Sequence, residues 1–241
     1  MYLSFGNTLK FPSFGDFLLS IYNIKVHGAP TKSKLSINNK DTIGFVGAPW
    51  TLMLYMLNRK SPKEGNFNVF PKDKYIHDIM VKLDEFLKIH IEAQIKSGAS
   101  IIQIFDSWAG LLPEKDLEHF VYKPIKSLVD FIRQKKVISI CFPRNINNYK
   151  KFVENVNPDI INIDYKVDPS IIRDTIDITV QGGLDPKILL NNKDILRKEV
   201  TKYLKTFDKK RYIFNLGHGV LPDTNPDMVK YLVSIVRSFN G

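Results

Sequence analysis

The chain has 241 residues, a hydrophobic content of 44% and a formal net charge of +10. This length suits one large domain with a full hydrophobic core, so we expect residues 1–241 to form a single domain. No apolar run approaches the length of a membrane span, and the start lacks the pattern of a secretory signal or transit peptide, so we predict a cytoplasmic protein that does not bind membranes. The lysines form no compact patch, so we do not expect nucleic-acid binding.

Short apolar runs recur from residue 42 onward, and each is followed by a stretch with helical periodicity. We predict strands at 42–46, 101–105, 137–142, 160–163, 178–181 and 211–216. Helices are predicted at 49–57, at 73–97 with Gly98 closing the helix, from 113 with a break near Pro124, at 149–156, after Pro169, at 196–207, and from Asn225 and Pro226 onward. Strand and helix therefore alternate six times.

The strands are apolar on both faces, which is typical of buried parallel strands in an open doubly wound sheet or a (β/α)8 barrel. The barrel is favoured because every strand ends at a glycine or at a polar residue, namely Gly47, Asp106, Arg144, Asp164, Gln181, Gly217 and His218, and in a barrel these ends share the catalytic face. The sequence has no G-x-G-x-x-G motif after the first strand and no Walker lysine, so a nucleotide-binding open sheet is not supported. We predict an α/β protein of (β/α)8 TIM-barrel type that is incomplete, with about six of the eight β/α units recognisable.

The barrel edges and the last strand end carry separate predictions. Six strands leave two unpaired parallel edges, at the 42–46 and 211–216 strands. His218 lies between Gly217 and Gly219, and glycines allow unusual backbone conformations and close approach of a ligand. We therefore predict a role for His218 in chemistry or recognition, with a loop histidine satisfied by its surroundings as the alternative.

Other polar and aromatic side chains accompany His218 at the strand ends. Ser107 and Gln181 offer hydrogen bonds, Tyr55 lies on the helix after the first strand, and the aromatic residues are Phe45, Trp50, Phe105 and Trp108. Such a face suits a flat, partly apolar ligand that carries acidic groups. For Tyr55 and Ser107 taken singly, a packing or capping role is an equal alternative.

The sequence does not predict a metal centre. The five histidines contain no pair at ligand spacing, and the single cysteine, Cys141, excludes an intramolecular disulfide and any cysteine-based cluster. Cys141 lies inside the apolar run 137–142, where we expect a small buried hydrophobic residue. The chain also lacks the G-x-S-x-G motif of acyl-transfer serine enzymes.

Four blocks of sequence closely resemble the signature blocks of the uroporphyrinogen decarboxylase family, in that family's order and spacing. They are GFVGAPWTLMLYM at 44–56, FDSWAG at 105–110, QGGLDP at 181–186 and NLGHG at 215–219. The resemblance extends from about residue 42 to the end of the chain. It implies a (β/α)8 barrel, normally a homodimer, that acts as a carboxy-lyase without a cofactor and converts the four acetate groups of uroporphyrinogen III to the methyl groups of coproporphyrinogen III in haem biosynthesis.

The resemblance also implies roles for individual residues. Tyr55, Ser107 and His218 match the family's substrate-contacting tyrosine, hydroxyl residue and histidine, and Phe45 and Phe105 match aromatic residues that line its pocket. In that family, protonation of a pyrrole α-carbon makes the ring an iminium that accepts the electrons of the departing carboxylate. The protein then has to hold the macrocycle, bind its carboxylates and stabilise the cation.

The sequence departs from the family at its N-terminal end. The arginine-rich block that clamps substrate carboxylates and the aspartate that binds the four pyrrole NH groups are not present, so no catalytic residue is assigned. Residues 1–41 are a divergent N-terminal segment, residues 42–241 a partial barrel, and Gly183 stands where the family usually has Asn. Loss of one preorganised charged group typically costs about two to three orders of magnitude in rate.

These observations leave three hypotheses. The leading one is a uroporphyrinogen decarboxylase that lacks its first two β/α units through truncation, a misassigned start or true loss. The second is a non-catalytic remnant that retains a porphyrin-binding face or a partner-binding edge. The third, a corrinoid methyltransferase on the same fold, is disfavoured because that family's zinc-binding His and Cys pattern is absent from the sequence.

Overall fold

A computed structural model describes residues 41–58, 74–207 and 211–239 of the chain. Predictions for residues 1–40, including the boundary of the divergent N-terminal segment, lie outside the described residues. The strands are β1 (Ile43–Gly47), β2 (Ile101–Asp106), β3 (Ile138–Pro143), β4 (Ile160–Ile163), β5 (Thr179–Gly182) and β6 (Tyr212–Ile213). The helices are α1 (Pro49–Asn58), α2 (Lys74–Lys96), α3 (Glu114–Leu117), α4 (Lys123–Gln134), α5 (Tyr149–Val156), α6 (Pro169–Thr175), α7 (Lys193–Thr206) and α8 (Pro226–Ser238).

Most predicted elements are present within a few residues of their expected bounds, and local chemistry explains several ends. Gly98 follows α2 with a φ of 108° and donates its N–H to the carbonyl of Ile95, as a closing glycine does. Asn225 caps α8 because its side chain accepts the N–H of Asp227, and Pro226 opens the helix. Capping and turn residues read from the sequence therefore set these boundaries.

The predicted helix break near Pro124 is wrong. The chain stays helical from α3 into α4 through a π-helical turn, Glu118–Tyr122, closed by a hydrogen bond from the N–H of Lys123 to the carbonyl of Glu118. Pro124 is the second residue of α4 and directly follows this turn. The wider turn absorbs the proline without ending the helix.

The predicted last strand, 211–216, is too long. Its regular part is β6, two residues, and beyond it Leu216 forms only an isolated parallel bridge with Leu184. The N–H of Leu216 bonds the side-chain oxygen of Asn215 at 2.8 Å. This N–H points away from β5, because the pairing here uses the N–H of Leu184 to the carbonyl of Asn215 at 3.4 Å and the N–H of Gly217 to the carbonyl of Leu184 at 2.8 Å. Regular pairing with β5 therefore stops at Ile213 and resumes only at this bridge, while Phe214 and Leu216 stay buried.

The sheet has the order β1-β2-β3-β4-β5-β6 with parallel pairing between all neighbours. A doubly wound sheet would reverse its strand order at a switch point, and this sheet does not. Gln181 of β5 reaches Gln103 of β2, with 3.5 Å between Nε2 and Oε1, although β3 and β4 separate these strands. The sheet therefore curves into part of a barrel, and the fold is an incomplete (β/α)8 type.

Strand alternation assigns the side chains to two faces. The main core lies between the sheet and the helices and includes Ile102, Ile104 and Cys141. A second apolar cluster lines the concave face and consists of Ile101, Ile140, Ile160 and Ile213, with Ile43 and Ile138 against it. Cys141 is fully buried, as predicted, and its burial raises the pKa of the thiol. Its reactivity is correspondingly suppressed.

The outer edge of β1 is not bare. The N–H of Phe45 donates to Oε1 of Gln94 at 2.8 Å, and Nε2 of Gln94 donates to the carbonyl of Phe45 at 3.1 Å. The amide of this α2 side chain thus pairs with β1 as a neighbouring strand would. A Cβ on Gly44 would lie 2.5 Å from Oε1 of Gln94, so a larger residue there would displace the Gln94 amide. β1 and β6 are the terminal strands of the described sheet, as predicted, but β1 is covered at its centre.

Candidate functional site

A layer of amide side chains crosses the concave face above the isoleucine cluster. Nε2 of Gln181 donates to Oδ1 of Asn162 at 2.8 Å and lies 3.5 Å from Oε1 of Gln103. All three residues are buried. A buried polar network of this kind fixes the relative positions of β2, β4 and β5. Gln181, predicted as a ligand-facing group, is part of this interior layer.

An aromatic row runs across β1, β2 and β3 on the same concave face. The rings of Phe45 and Phe105 meet edge to face at 6.2 Å, and those of Phe105 and Phe142 at 6.1 Å. Phe45 is 66% exposed, whereas Phe142 is buried. Two of these residues were predicted from the sequence and Phe142 was not. The alternation of β3 would have found it, because Phe142 has the same parity as the concave residues Ile138 and Ile140.

Tyr55 and Ser107 lie near the aromatic row at the carboxyl end of the sheet. The ring of Tyr55 meets that of Trp108 edge to face at 6.4 Å, and Ser107 directly precedes Trp108 in the turn after β2. Both Tyr55 and Ser107 are half-buried. Trp50, predicted to join this face, is instead fully buried in the core, where its indole N–H bonds the carbonyl of Trp108 at 3.1 Å.

Asp106 ends β2 as predicted, but its side chain does not join the catalytic face of the barrel. The hydroxyl of Thr51 in α1 donates to Oδ1 of Asp106 at 2.6 Å, and the same hydroxyl accepts the N–H of Trp108 at 3.3 Å. Asp106 has even parity in β2 and therefore faces the helices with Ile102 and Ile104. Burial raises the pKa of Asp106 to about 7 against the opposing hydrogen bonds from Thr51 and Trp108. Asp106 ties α1 to the sheet.

A pair of oppositely charged side chains, Arg144 and Asp164, lies at the carboxyl ends of β3 and β4. Nε of Arg144 is 3.6 Å from Oδ2 of Asp164, and Asp164 is fully buried. The backbone N–H of Lys166 donates to Oδ1 of Asp164 at 3.0 Å, and the N–H of Asp164 donates to Oη of Tyr149 at 3.1 Å. The sequence singled out Arg144 and Asp164 only as polar strand ends, and the structure joins them as a pair.

His218 lies beside this pair on an exposed part of the chain. Burial of its ring and the charge of Arg144 lower its pKa, while Asp164 and a hydrogen bond involving the Gly219 backbone oppose the change. The lowered pKa favours the neutral form of the ring. The structure thus separates the predicted residues into an aromatic group, Phe45 and Phe105 with Tyr55 and Ser107 nearby, and a polar group around His218.

Close backbone contacts hold the loops that carry these residues. A Cβ on Gly110 would lie 2.2 Å from the carbonyl oxygen of Asn145, and one on Gly217 would lie 2.4 Å from the backbone nitrogen of Tyr165. The loops after β2 and β6 are thus packed onto those after β3 and β4. We predicted that the glycines beside His218 permit unusual backbone conformations, and this part of the prediction is wrong. Neither Gly217 nor Gly219 has a positive φ, and nothing lies within 4 Å of a Cβ on Gly219.

Gly183 occupies a position that suits glycine in this chain. Its φ is 108°, and an added Cβ would lie 2.7 Å from Cε1 of Tyr203. The hydroxyl of Tyr203 donates to the carbonyl of Gly183 at 2.6 Å, which fixes the ring against it. An asparagine here would have to displace Tyr203, so the aromatic ring occupies the space that the family's usual side chain needs.

Within residues 41–58, 74–207 and 211–239, no group of three or more His, Cys, Asp or Glu side chains is arranged to hold a metal ion. The helices of this part of the chain are also too short or too polar to cross a bilayer. The described residues of the face offer stacking on aromatic rings, hydrogen bonding and the charge of Arg144.

Comparison with protein families identifies the barrel. A family model described as uroporphyrinogen decarboxylase (URO-D) matches residues 31–239. The chain belongs to the uroporphyrinogen decarboxylase family. The FDSWAG and NLGHG blocks lie at and after the ends of β2 and β6 and carry Ser107 and His218.

Curated relatives named uroporphyrinogen decarboxylase match most of the chain. The protein of Rickettsia bellii is 42% identical over 210 residues, which cover 82% of this chain and 60% of the relative. That of Rickettsia felis is 38% identical over 206 residues, with 82% and 59% covered. That of Rickettsia akari is 35% identical over 226 residues, with 89% and 66% covered. The chain spans about three fifths of the length of these uroporphyrinogen decarboxylases.

The structural comparison agrees with the fold. A B12-independent methionine synthase from Shewanella sp. W3-18-1 superposes with a TM-score of 0.55 and 15% sequence identity, covering 82% of this chain and 62% of the other. At this identity the likeness concerns the fold alone.

Proposed function

We propose that the chain is a carboxy-lyase of the uroporphyrinogen decarboxylase type, which binds uroporphyrinogen III on the concave face and releases coproporphyrinogen III. One observation carries the proposal. The face has an aromatic side, formed by Phe45, Phe105 and Phe142, and a polar side, formed by Arg144 and His218. A porphyrinogen has a broad apolar macrocycle with acidic groups on its rim, and such a face matches both parts.

The family resemblance and the geometry together support roles for individual residues. Tyr55, Ser107 and His218 contact the substrate, and Phe45 and Phe105 line the surface beneath the macrocycle. The lowered pKa of His218 favours the neutral imidazole, which both donates and accepts a hydrogen bond and does not repel the iminium cation that develops on the pyrrole. In this proposal the macrocycle itself is the electron sink, and the reaction needs no cofactor.

A second candidate function is porphyrin binding without catalysis. Two carboxyl groups are fully buried near the strand ends of the described residues, and neither is free to face four pyrrole NH groups. The carboxyl of Asp106 faces α1, and that of Asp164 is held beside Arg144. Within residues 41–58, 74–207 and 211–239, this arrangement favours binding of the macrocycle over its decarboxylation, because neither of these two carboxyl groups is placed to supply the anionic group.

Turnover separates the two candidates. Purified 241-residue chain is incubated with uroporphyrinogen III in the dark without oxygen, and the oxidised products are separated by chromatography. The decarboxylase proposal predicts porphyrins with seven, six, five and four carboxylates, formed much more slowly by His218→Ala and at an unchanged rate by His90→Ala, a control on the exposed side of α2. Binding of uroporphyrin without any product supports the second candidate. Equal turnover by wild type and His218→Ala contradicts the assigned role of His218.

We further propose that the protein acts in the cytoplasm as a homodimer. The family resemblance supports both statements, and a single buried thiol suits a reducing compartment. The exposed apolar side chains of α2 include Val81, Phe86 and Ile89, which offer a surface for association. Light scattering over a range of concentrations tests the dimer. A mass of one chain at all concentrations contradicts it.

A further inference from the structure

We propose that Arg144 binds a carboxylate on the rim of the macrocycle, with Asp164 holding its guanidinium in place. The inference rests on the proposed function for the identity of the ligand. Among the described residues, Arg144 is the arginine that lies on the concave face. It follows β3 and is therefore not part of the N-terminal arginine block of the family.

The position of Arg144 follows from the pleat of β3. Ile138 and Ile140 face the concave cluster, Phe142 continues the same side as part of the aromatic row, and Arg144 is the next residue of this parity. β3 and β4 pair Ile140 with Ile160, so the same register continued by four residues sets Arg144 opposite Asp164. The 3.6 Å between Nε and Oδ2 agrees with this placement.

The pair is incompletely satisfied. Nε of Arg144 and Oδ2 of Asp164 are both buried and neither makes a hydrogen bond, and the Arg144 side chain makes none to the described residues. A guanidinium has five N–H donors, and a buried group without acceptors is costly. The side chain keeps 19% of its surface accessible, so it can meet a ligand. A carboxylate is the acceptor that matches its planar, forked donors.

The surroundings hold Arg144 next to the surface on which the ring would lie. Asp164 is fixed by its bonds to the Lys166 N–H and to Tyr149, so it is a firm anchor for Nε. The carbonyl of Arg144 accepts the N–H of Gly110 at 3.0 Å, which ties it to the loop of Ser107. A macrocycle stacked along Phe105 and Phe142 therefore has its rim at Arg144, between the aromatic row and His218.

Porphyrins of opposite charge test the proposal by fluorescence titration of the 241-residue chain. Uroporphyrin carries eight carboxylates and is stable in air, and a tetra-N-methylpyridyl porphyrin has the same ring with cationic groups. Arg144→Gln should weaken uroporphyrin binding roughly 10- to 100-fold, the range for loss of a charge-assisted contact, without weakening binding of the cationic porphyrin. Arg144→Lys should recover part of the loss. Arg173→Gln, an exposed arginine paired with Asp174 on α6, should change neither.

Titration of His218 by NMR provides a readout that packing alone would not move. Arg144→Gln should raise the pKa of His218 and Asp164→Asn should lower it, because the two charges act on the ring in opposite senses. Shifts of the His218 pKa in opposite directions in the two variants support a single site that contains His218, Arg144 and Asp164. Unchanged titration in both variants shows that the three groups are not together in solution and overturns the proposal.

Other outcomes are equally decisive. Unchanged uroporphyrin affinity in Arg144→Gln, equal losses for both porphyrins, or a wild type that does not bind uroporphyrin each overturns the inference. If Arg144→Gln does not fold, as judged by circular dichroism, Arg144→Lys carries the test through its selective loss of uroporphyrin affinity. Arg144-dependent binding without turnover overturns only the decarboxylase proposal. Turnover that Arg144→Gln leaves unchanged overturns only the role of Arg144.

Discussion

Two aspartates at neighbouring strand ends have different surroundings because of strand parity alone. Asp106 points from β2 toward the helices and bonds Thr51, whereas Asp164 follows β4 on the concave side and meets Arg144. Both are fully buried. Only one of them is placed to influence a ligand, so the presence of an acidic residue at the end of a barrel strand does not by itself identify a catalytic group.

The buried carboxyl of Asp106 predicts a pH-dependent stability. Burial raises its pKa from 3.8 to about 7, so the folded state binds its proton more tightly than the unfolded state does. The stabilisation is fully present below about pH 4 and is lost as the pH rises to about 7, a change of about 4 kcal/mol at 1.4 kcal/mol per pKa unit. The side chain in Asp106→Asn cannot ionise, so this variant should not show the loss of stability with rising pH.

Urea unfolding at about pH 5, 6, 7 and 8 measures this difference. The stability of Asp106→Asn relative to wild type should rise between about pH 5 and 7 and level off toward pH 8. Asp223→Asn, an exposed control, should follow the wild type at every pH. Parallel curves for wild type and Asp106→Asn would show that the carboxyl ionises without cost in the folded protein.

At the scale of elements, the sequence predicted the secondary structure well wherever local signals decide it. The amphipathic period of α2, the asparagine at the start of α8 and the apolar run of β4 gave bounds close to the observed ones. The two errors occur at the end of a local signal. At Pro124 a π-helical turn continues the helix, and beyond Ile213 the pairing with β5 is interrupted before it resumes at the bridge of Leu216 with Leu184.

The candidate site was predictable in part. Motif blocks indicated Phe45, Phe105, Ser107, Tyr55 and His218, and counting alternate residues along β3 and β4 would have added Phe142, Arg144 and Asp164. The role of Gln94 was not predictable. Its amide bonds the backbone of a residue 49 positions away, and that contact depends on the packing of α2 against β1 and on the absence of a side chain at Gly44.

The amide of Gln94 predicts how the edge of β1 is protected. Gln94→Met keeps the shape of the side chain and removes both hydrogen bonds to Phe45. The free energy of unfolding should fall by about 1 kcal/mol, since the two bonds are exposed, and the uncovered edge should promote self-association. Urea unfolding and light scattering measure these two effects. Gln134→Met, at the exposed end of α4, is the control, and identical behaviour of the two variants would contradict the role of Gln94.

At the scale of the whole molecule, the net charge of +10 is compatible with an acidic small molecule as the ligand. The substrate that we propose carries eight carboxylates, and a positive protein attracts it over distances comparable with the Debye length, about 10 Å at 0.1 M salt. Scattered lysines suffice for this purpose because the attraction needs no compact patch.

Uroporphyrin binding should therefore weaken with salt. We expect roughly a tenfold loss of affinity between about 50 and 500 mM sodium chloride, because screening removes the long-range attraction while stacking on the aromatic row persists. The tetra-N-methylpyridyl porphyrin should show the reverse trend, and fluorescence titration measures both. Salt-independent uroporphyrin binding would mean that the ring alone determines affinity.

The sequential order of the strands also bears on how the chain reaches its folded state. Each strand pairs with the one that follows it along the chain, so the sheet can grow in the order in which the ribosome releases it, with each new β/α unit docking on a finished neighbour. The contact of Gln103 with Gln181 joins residues 78 positions apart. It can form only after β5 has emerged, which makes this amide layer a late step in folding that sets the curvature of a sheet already assembled from local pairs.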